Sequence, residues 1–101
     1  IEAARRLAER MITDGGTTPE ERLVYGYRAA TAHRPQPEAQ AVLLDGFQYH
    51  MNHYQNDRVA ALDLISMGES PRDETLDVVE LASYTMTASL ILNLDGTITK
   101  E

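Results

Sequence analysis

The chain has 101 residues, which is long enough for one globular domain over residues 1–101. Its composition, 43% hydrophobic and 25% charged, is too apolar for a disordered segment. It contains no cysteine, which excludes disulfides, thiolate metal sites, covalent haem attachment and cysteine nucleophiles. The formal net charge is −7 and the arginines are dispersed along the sequence, so no basic patch is readable and we expect no nucleic-acid binding.

The first predicted helix begins with the chain itself and ends before Gly15 and Gly16, which favour a turn. Because the chain opens in helical period, we expect it to be an excised piece of a longer protein. Apolar residues three and four positions apart mark the buried face of this helix: Ile1, Ala4, Leu7, Ala8, Met11 and Ile12.

The second predicted helix has a well-defined start. Thr18 and Glu21 have the spacing of a capping box, in which each side chain binds the backbone N–H at the other position, and Pro19 suits the first helical position. The helix is predicted to end near His33, since Pro35 disfavours helical geometry in the residue before it. The side chains expected to point inward are Leu23, Val24, Tyr27 and Ala30.

Two further helices follow. Gln36 and Pro37 predict the start of the third, and a short fourth helix is predicted to begin after Asp57 and to end at Gly68. No strand alternation or hairpin signal occurs, which favours an all-α fold. The expected buried residues are Ala39, Val42, Leu43, Phe47, His50 and Tyr54 on the third helix and Val59, Leu62, Ile65 and Met67 on the fourth.

The stretch from Leu76 to Leu94 is the most apolar long segment and predicts a buried helix around which the others pack. Asp77 and Glu80 have capping-box spacing at its start, and Gly96 is expected to end it. Polar residues interrupt the run, which argues against insertion into a membrane. We therefore predict a compact all-α bundle of four to five helices around a buried C-terminal helix, about Val78 to Leu94.

Three details of the bundle are also predicted. Gly26 and Gly46 fall inside helices, where glycine costs about 1 kcal/mol relative to alanine. We interpret them as letting the second and third helices approach closely; the alternative is a tolerated glycine on a solvent face. The last five residues, Thr97 to Glu101, are expected to dock Ile98 onto the end of the central helix near Leu94.

One constellation suggests metal chemistry. His50 and His53 lie one helical turn apart and Asp57 a further turn on, so the three could line one edge of a helix as ligands of zinc or another divalent ion. A closed zinc site normally has four ligands, however, and Asp57 is well placed to cap the fourth helix. We expect no metal and no other cofactor. The serines lie in no Gly-x-Ser-x-Gly elbow, so no catalytic residues are predicted.

Three segments carry a resemblance to a known family: LVYGYRAATAHRPQPE at Leu23 to Glu38, GESPRD at Gly68 to Asp73, and ELASYTMTASLILNLDGTITKE at Glu80 to Glu101. Over nearly its whole length the chain resembles the C-terminal domain of unknown function of the cytochrome-c-associated exported proteins typical of planctomycetes. Gly96 departs from the family pattern, which often has glutamate there. The most specific family-like positions are Asn93, Leu94, Asp95, Thr99, Lys100 and Glu101.

The resemblance implies the terminal helical module of a large periplasmic or cell-envelope protein, commonly with a haem-binding segment far upstream. It assigns no catalytic residue, and the haem motif Cys-x-x-Cys-His is absent from this chain. We expect a non-catalytic structural or interaction module that packs against upstream domains of the same parent chain or a protein partner. The alternative is an accessory domain that contributes to the active site of an envelope enzyme, polysaccharide-related or redox.

Overall fold

The computed structural model describes residues 2–67 and 71–99, with side chains described as far as Leu94. Within these residues the chain forms helices and no strand, so the predicted all-α bundle is confirmed. The C-terminal helix lies at the centre, because each of the other four packs against it. The helices are α1 (Glu2–Asp14), α2 (Pro19–Thr31), α3 (Pro37–Gln55), α4 (Arg58–Ile65) and α5 (Val78–Thr99).

Side-chain caps define the starts of α2 and α4. The Glu21 N–H donates to the Thr18 hydroxyl at 3.2 Å, and the Glu21 carboxylate accepts from the Thr18 N–H at 3.2 Å, so the predicted capping box is confirmed. At α4 the Asp57 carboxylate accepts from the Ala60 N–H at 3.1 Å, as expected of an N-cap. Both helices therefore begin where short-range sequence signals placed them.

The start of α5 forms one half of its predicted capping box. The Asp77 carboxylate accepts from the Glu80 N–H at 2.9 Å. The Glu80 carboxylate turns away from this cap and lies 3.7 Å from a guanidinium nitrogen of Arg22. This ion pair joins the first turns of α2 and α5.

The core lies between α5 and the helices around it. The rings of Phe47 and Tyr84 are 4.3 Å apart between centroids and join α3 to α5. On α1 every residue of the predicted buried face that the structure describes is buried: Ala4, Leu7, Ala8, Met11 and Ile12. Other fully buried aliphatic residues are Leu23, Leu43, Ile65, Leu81 and Ile91.

Some residues predicted to be buried are exposed: Val42, Val59, Leu62 and Met67. Val24, predicted to point inward, is half-buried and lines the surface of α2. On α3 the buried stripe runs through Leu43 and Phe47, which are four residues apart. Val42, one position before Leu43, therefore faces outward. On α4, which has only eight residues, Ala61 and Ile65 are the buried ones. Apolar spacing alone did not determine which side of these two helices faces α5.

The hydroxyl groups of α5 explain how a helix with polar residues is buried on most sides. The side chains of Ser83, Thr85 and Thr87 are buried, and each donates to the carbonyl four residues earlier at 2.6 to 2.9 Å. A buried hydroxyl that has such a partner avoids most of the cost of leaving water. These residues therefore do not require a polar face on α5.

The end of α5 differs from the prediction. The helix does not end at Gly96 but continues to Thr99, five residues beyond Leu94. A glycine inside a helix costs about 1 kcal/mol, and each further residue of a helix that has already formed adds a hydrogen bond. The expected docking of Ile98 lies outside the described side chains. Gly68, the predicted end of α4, lies outside the described residues, and α4 ends at Ile65.

One charged side chain is buried in the core. Arg5 of α1 is 1% exposed, and one of its guanidinium nitrogens donates to the carbonyl oxygens of Ile65 and Met67 at 3.0 and 3.1 Å. The last carbonyls of a helix lack intrahelical donors, so Arg5 caps the C-terminus of α4. One turn later on α1, the Glu9 carboxylate accepts from the Asp73 N–H at 2.9 Å. These two side chains of α1 hold the connection between α4 and α5 at its start and at Asp73.

The two helix-interior glycines have different surroundings. A Cβ atom at Gly26 would lie 2.6 Å from the sulfur of the buried Met11, so this glycine permits the close approach of α1 and α2, not of α2 and α3. A Cβ atom at Gly46 would have no described atom within 4 Å, apart from the neighbouring backbone of its own helix. Gly46 therefore fits the alternative that was weighed, a tolerated glycine with open space beside it.

We expect the same substitution to have opposite effects at these two glycines. Gly46→Ala should raise the free energy of unfolding by about 0.5–1 kcal/mol, because alanine has the higher helix propensity. Gly26→Ala should lower it by about 1 kcal/mol, because crowding against Met11 exceeds that gain. Urea denaturation measures both. In a Met11→Ala background Gly26→Ala should become stabilising, whereas stabilisation in the unmodified chain would mean that α1 and α2 are not closely packed there.

Candidate interaction surface

Helices α1 and α2 form an antiparallel pair. Met11 lies against Gly26, while Leu7, earlier in α1, lines the same depression as Ala30, later in α2. The turn between the two helices is held by Arg22, whose Nε donates to the Gly16 carbonyl at 3.1 Å. The outward faces of α1 and α2 therefore form one continuous surface.

Three shallow depressions of about 500, 450 and 320 Å³ follow α2 on this surface. The first and second share Glu21 and Val24, and the first and third share Arg10 and Ala29, so the first adjoins both of the others. We call them together the α2 groove. Its walls and floor include Arg6, Arg10, Val24, Tyr25, Arg28 and Arg34.

The α2 groove gathers positive charge in an acidic protein. Four of the nine basic residues of the chain line it, against two carboxylates, Glu20 and Glu21. The four arginines are exposed, and none lies within 4.0 Å of a carboxylate oxygen among the side chains that the structure describes. The sequence alone did not show a basic patch, because these four arginines lie apart in it and line adjoining depressions only in the fold. They are Arg6, Arg10, Arg28 and Arg34.

One of the two carboxylates of the groove is already used by the backbone. The Glu21 carboxylate accepts from the N–H groups of Thr17 and Thr18 at 3.0 and 3.2 Å. These hydrogen bonds, that to Thr17 first, lower the pKa of Glu21. Its negative charge lies at the N-terminus of α2, where it interacts favourably with the helix dipole. The carboxylate oxygen that accepts these hydrogen bonds is not available to the arginines.

Arg10 and Tyr25 link the two walls of the groove. A terminal guanidinium nitrogen of Arg10 donates to the Tyr25 hydroxyl at 3.2 Å, and the guanidinium carbon lies 5.8 Å from the centroid of the tyrosine ring. An arginine has five N–H donors in a fixed plane, so this contact orients the group and leaves further donors for a ligand. Arg10 is thus positioned before any ligand binds.

The residues of the weighed metal site lie on α3 and the start of α4. The rings of Tyr49 and His53 are parallel at 6.4 Å, and those of His50 and Tyr54 stack at 6.2 Å. Burial, and to a smaller extent His53, lowers the pKa of His50. Asp57 is used as the cap of α4. Among the side chains that the structure describes, as far as Leu94, no three or more potential metal ligands come close enough to hold an ion.

Four of the six family-like positions lie at the end of α5. Asn93 and Leu94 are exposed, and Thr99 is the last residue of the helix. The side chains of Asp95 and Thr99, and all of Lys100 and Glu101, lie outside what the structure describes. A role for this group stays a prediction.

The sequence contained a signal for the groove that was not used. Arg6 and Arg10 are four residues apart on α1, and Tyr25 and Arg28 are three apart on α2, so each pair lies on one side of its helix. The two sides become neighbours only through the antiparallel pairing of α1 and α2. A short turn at Gly15 and Gly16 is what could have indicated that pairing.

No protein-family model, curated protein or solved structure matches this chain. The resemblance to the planctomycete exported proteins therefore stays a prediction. Among the described helices, none is sufficiently long and apolar to cross a bilayer. The functional argument consequently rests on the α2 groove.

Proposed function

We propose that this chain is a non-catalytic helical interaction module that holds a protein partner in the α2 groove. The observation that supports this most is the presence of four exposed arginines without carboxylate partners among the described side chains, beside apolar residues such as Val24 and Pro35. Arginine and tyrosine are enriched where proteins bind one another, because both combine a large contact surface with hydrogen-bonding groups.

The same lining argues for binding rather than catalysis. Acid–base or nucleophilic chemistry requires a proton-transfer group or nucleophile within reach of a substrate. The described lining of the α2 groove has no histidine or serine. Of its two carboxylates, Glu21 is occupied by capping hydrogen bonds and Glu20 is exposed, with no nucleophile or histidine beside it in that lining. An accessory role in an envelope enzyme would need those groups from another domain. By the resemblance, the partner would be an upstream domain of the same parent chain or another exported protein.

The proposal can be tested by selecting peptides from a displayed library against the immobilised chain. Peptides of about 14 residues are suitable, because as helices they span roughly 20 Å, the length of α2. We expect selected peptides to bind with dissociation constants of about 1–100 μM. The double variant Arg10→Glu, Arg28→Glu should weaken this binding at least about tenfold, measured by fluorescence anisotropy.

The matched control is Arg58→Glu, which changes the same charge at an exposed residue outside the groove lining and should leave binding unchanged. Circular dichroism verifies that each variant is folded. A selection that yields no binder, or binders that are insensitive to the double variant, would contradict the proposed function. In the second case the exposed Val42 and Tyr49 of α3 would be the next surface to test.

A further inference from the structure

We infer that the segment held in the α2 groove is acidic, with carboxylates that pair with Arg6, Arg10 and Arg28 and an apolar side chain that packs near Val24. This inference rests on the proposed function and specifies the chemistry of the partner. It is argued from the charge of the groove, from the arrangement of its arginines and from the charge of the rest of the chain.

The charge of the groove favours an anion. Its lining carries four guanidinium groups against two carboxylates, while the whole chain has a net charge of −7. Charged side chains of a stable interface are usually matched by opposite charges on the partner. Because one oxygen of Glu21 is bonded to backbone N–H groups, a partner that covers these arginines would supply the opposite charge.

The arginines are arranged for more than one carboxylate. Arg6 and Arg10 lie one turn apart on α1, and Arg28 lies one turn beyond Tyr25 on α2, so donors project from both walls of the groove. A guanidinium can bind a carboxylate through two parallel hydrogen bonds. Because Arg10 is already held by the Tyr25 hydroxyl, part of the entropic cost of ordering it has been met before binding.

The apolar part of the groove distinguishes a peptide from a simple anion. Val24 lines two of the three depressions, and Ala29 and Pro35 extend the apolar surface to either side. Burying one aliphatic side chain there would add to the ion pairs. We therefore infer a segment that alternates acidic and apolar side chains, not free phosphate or another small ion.

The rest of the chain would direct such a segment to the groove. Residues 35–101 contain eleven carboxylates and three basic residues, so this part of the protein is acidic. It repels an acidic ligand. The same charge disfavours nucleic acid, whose phosphates would contact a long stretch of surface beyond the groove. A second copy of this chain is also acidic in that region, and self-association is an outcome that the test must separate.

The test uses fluorescein-labelled, terminally capped peptides of about 14 residues, roughly the length of α2 as a helix. One has glutamate at every fourth position with leucine between, and the matched control has glutamine in place of each glutamate. We expect the glutamate peptide to bind at least about tenfold more tightly. Its affinity should fall as salt is raised from about 0.01 M to about 1 M, which shortens the screening length from about 30 to about 3 Å.

Variants locate the binding. Arg6→Gln, Arg10→Gln and Arg28→Gln should each weaken the glutamate peptide about two- to fivefold, the change expected for one exposed ion pair, and the triple variant at least about tenfold. Arg58→Gln should have no effect. Equal binding of the glutamate and glutamine peptides would overturn the inference. Tighter binding of an oligothymidylate of similar length would overturn it too. A third contrary result would be a chain that binds no peptide but forms salt-sensitive dimers in sedimentation velocity, if the triple variant abolishes those dimers.

The failure of this inference and of the proposed function can be told apart. If library-selected peptides require Arg10 and Arg28 but are not enriched in aspartate and glutamate, the chain is an interaction module and the acidic partner is wrong. If no peptide of any composition binds at the groove, the proposed function itself is wrong.

Discussion

Replacing Arg5 with alanine is expected to lower the free energy of unfolding by about 3–5 kcal/mol. The substitution removes the donor to two carbonyls at the end of α4, those of Ile65 and Met67, and an unsatisfied buried polar group costs about 1–3 kcal/mol. It also leaves a cavity where the alkyl part of the side chain is packed, since Arg5 is 1% exposed. Urea denaturation followed by circular dichroism measures the loss.

Two variants separate the capping role of Arg5 from its charge. Arg6→Ala removes the same side chain from the next, exposed position of α1 and should change stability by less than about 0.5 kcal/mol. Arg5→Lys retains the charge but replaces the planar fork by a single ammonium, so it should be intermediate between the unmodified chain and Arg5→Ala. A loss below about 1 kcal/mol for Arg5→Ala would show that α4 does not depend on this cap.

Arg5 also shows what the sequence could not predict. Helical spacing places Arg5 on the buried face of α1, between Ile1 and Ala8, whereas Arg6 lies off that face. The hydrogen-bond partners of Arg5 are 60 and 62 residues away, however, so no local pattern identifies the carbonyls that it caps.

The starts of α2, α4 and α5 were predicted because a cap involves residues only three positions apart. The helix starts could be predicted because their cause is local, whereas the role of Arg5 depends on a tertiary contact. The local stop signal at Gly96 was wrong, since α5 continues to Thr99.

The α2 groove follows the same division. Its individual arginines are visible in the sequence, but their meeting depends on the antiparallel pairing of α1 with α2, which brings Arg10 to Tyr25. The wrong assignment of Val42 to the core has a related cause. Apolar spacing on α3 allowed either of two neighbouring stripes to face inward, and packing of Phe47 against Tyr84 accompanies the one that is buried.

The second large effect is expected at the centre of the bundle. Ile91→Ala should lower the free energy of unfolding by about 2–5 kcal/mol, as large-to-small substitutions in a core do. Ile91 is 0% exposed on α5, against which every other helix packs, so the cavity cannot be filled by moving one helix without disturbing the others. Leu81→Ala, also at 0% exposure and near the other end of α5, should cost a similar amount.

The neighbouring Leu90 provides the matched control, because it is 40% exposed on the same turn of α5 as Ile91. Leu90→Ala should cost less than about 1 kcal/mol, since the removed carbons were partly in water already. Equal losses at Leu90 and Ile91 in urea denaturation would mean that something covers this side of α5 in solution, such as a second copy of the chain. A loss that depends on protein concentration would identify that second copy, whereas a small loss at both positions would place Ile91 outside the core.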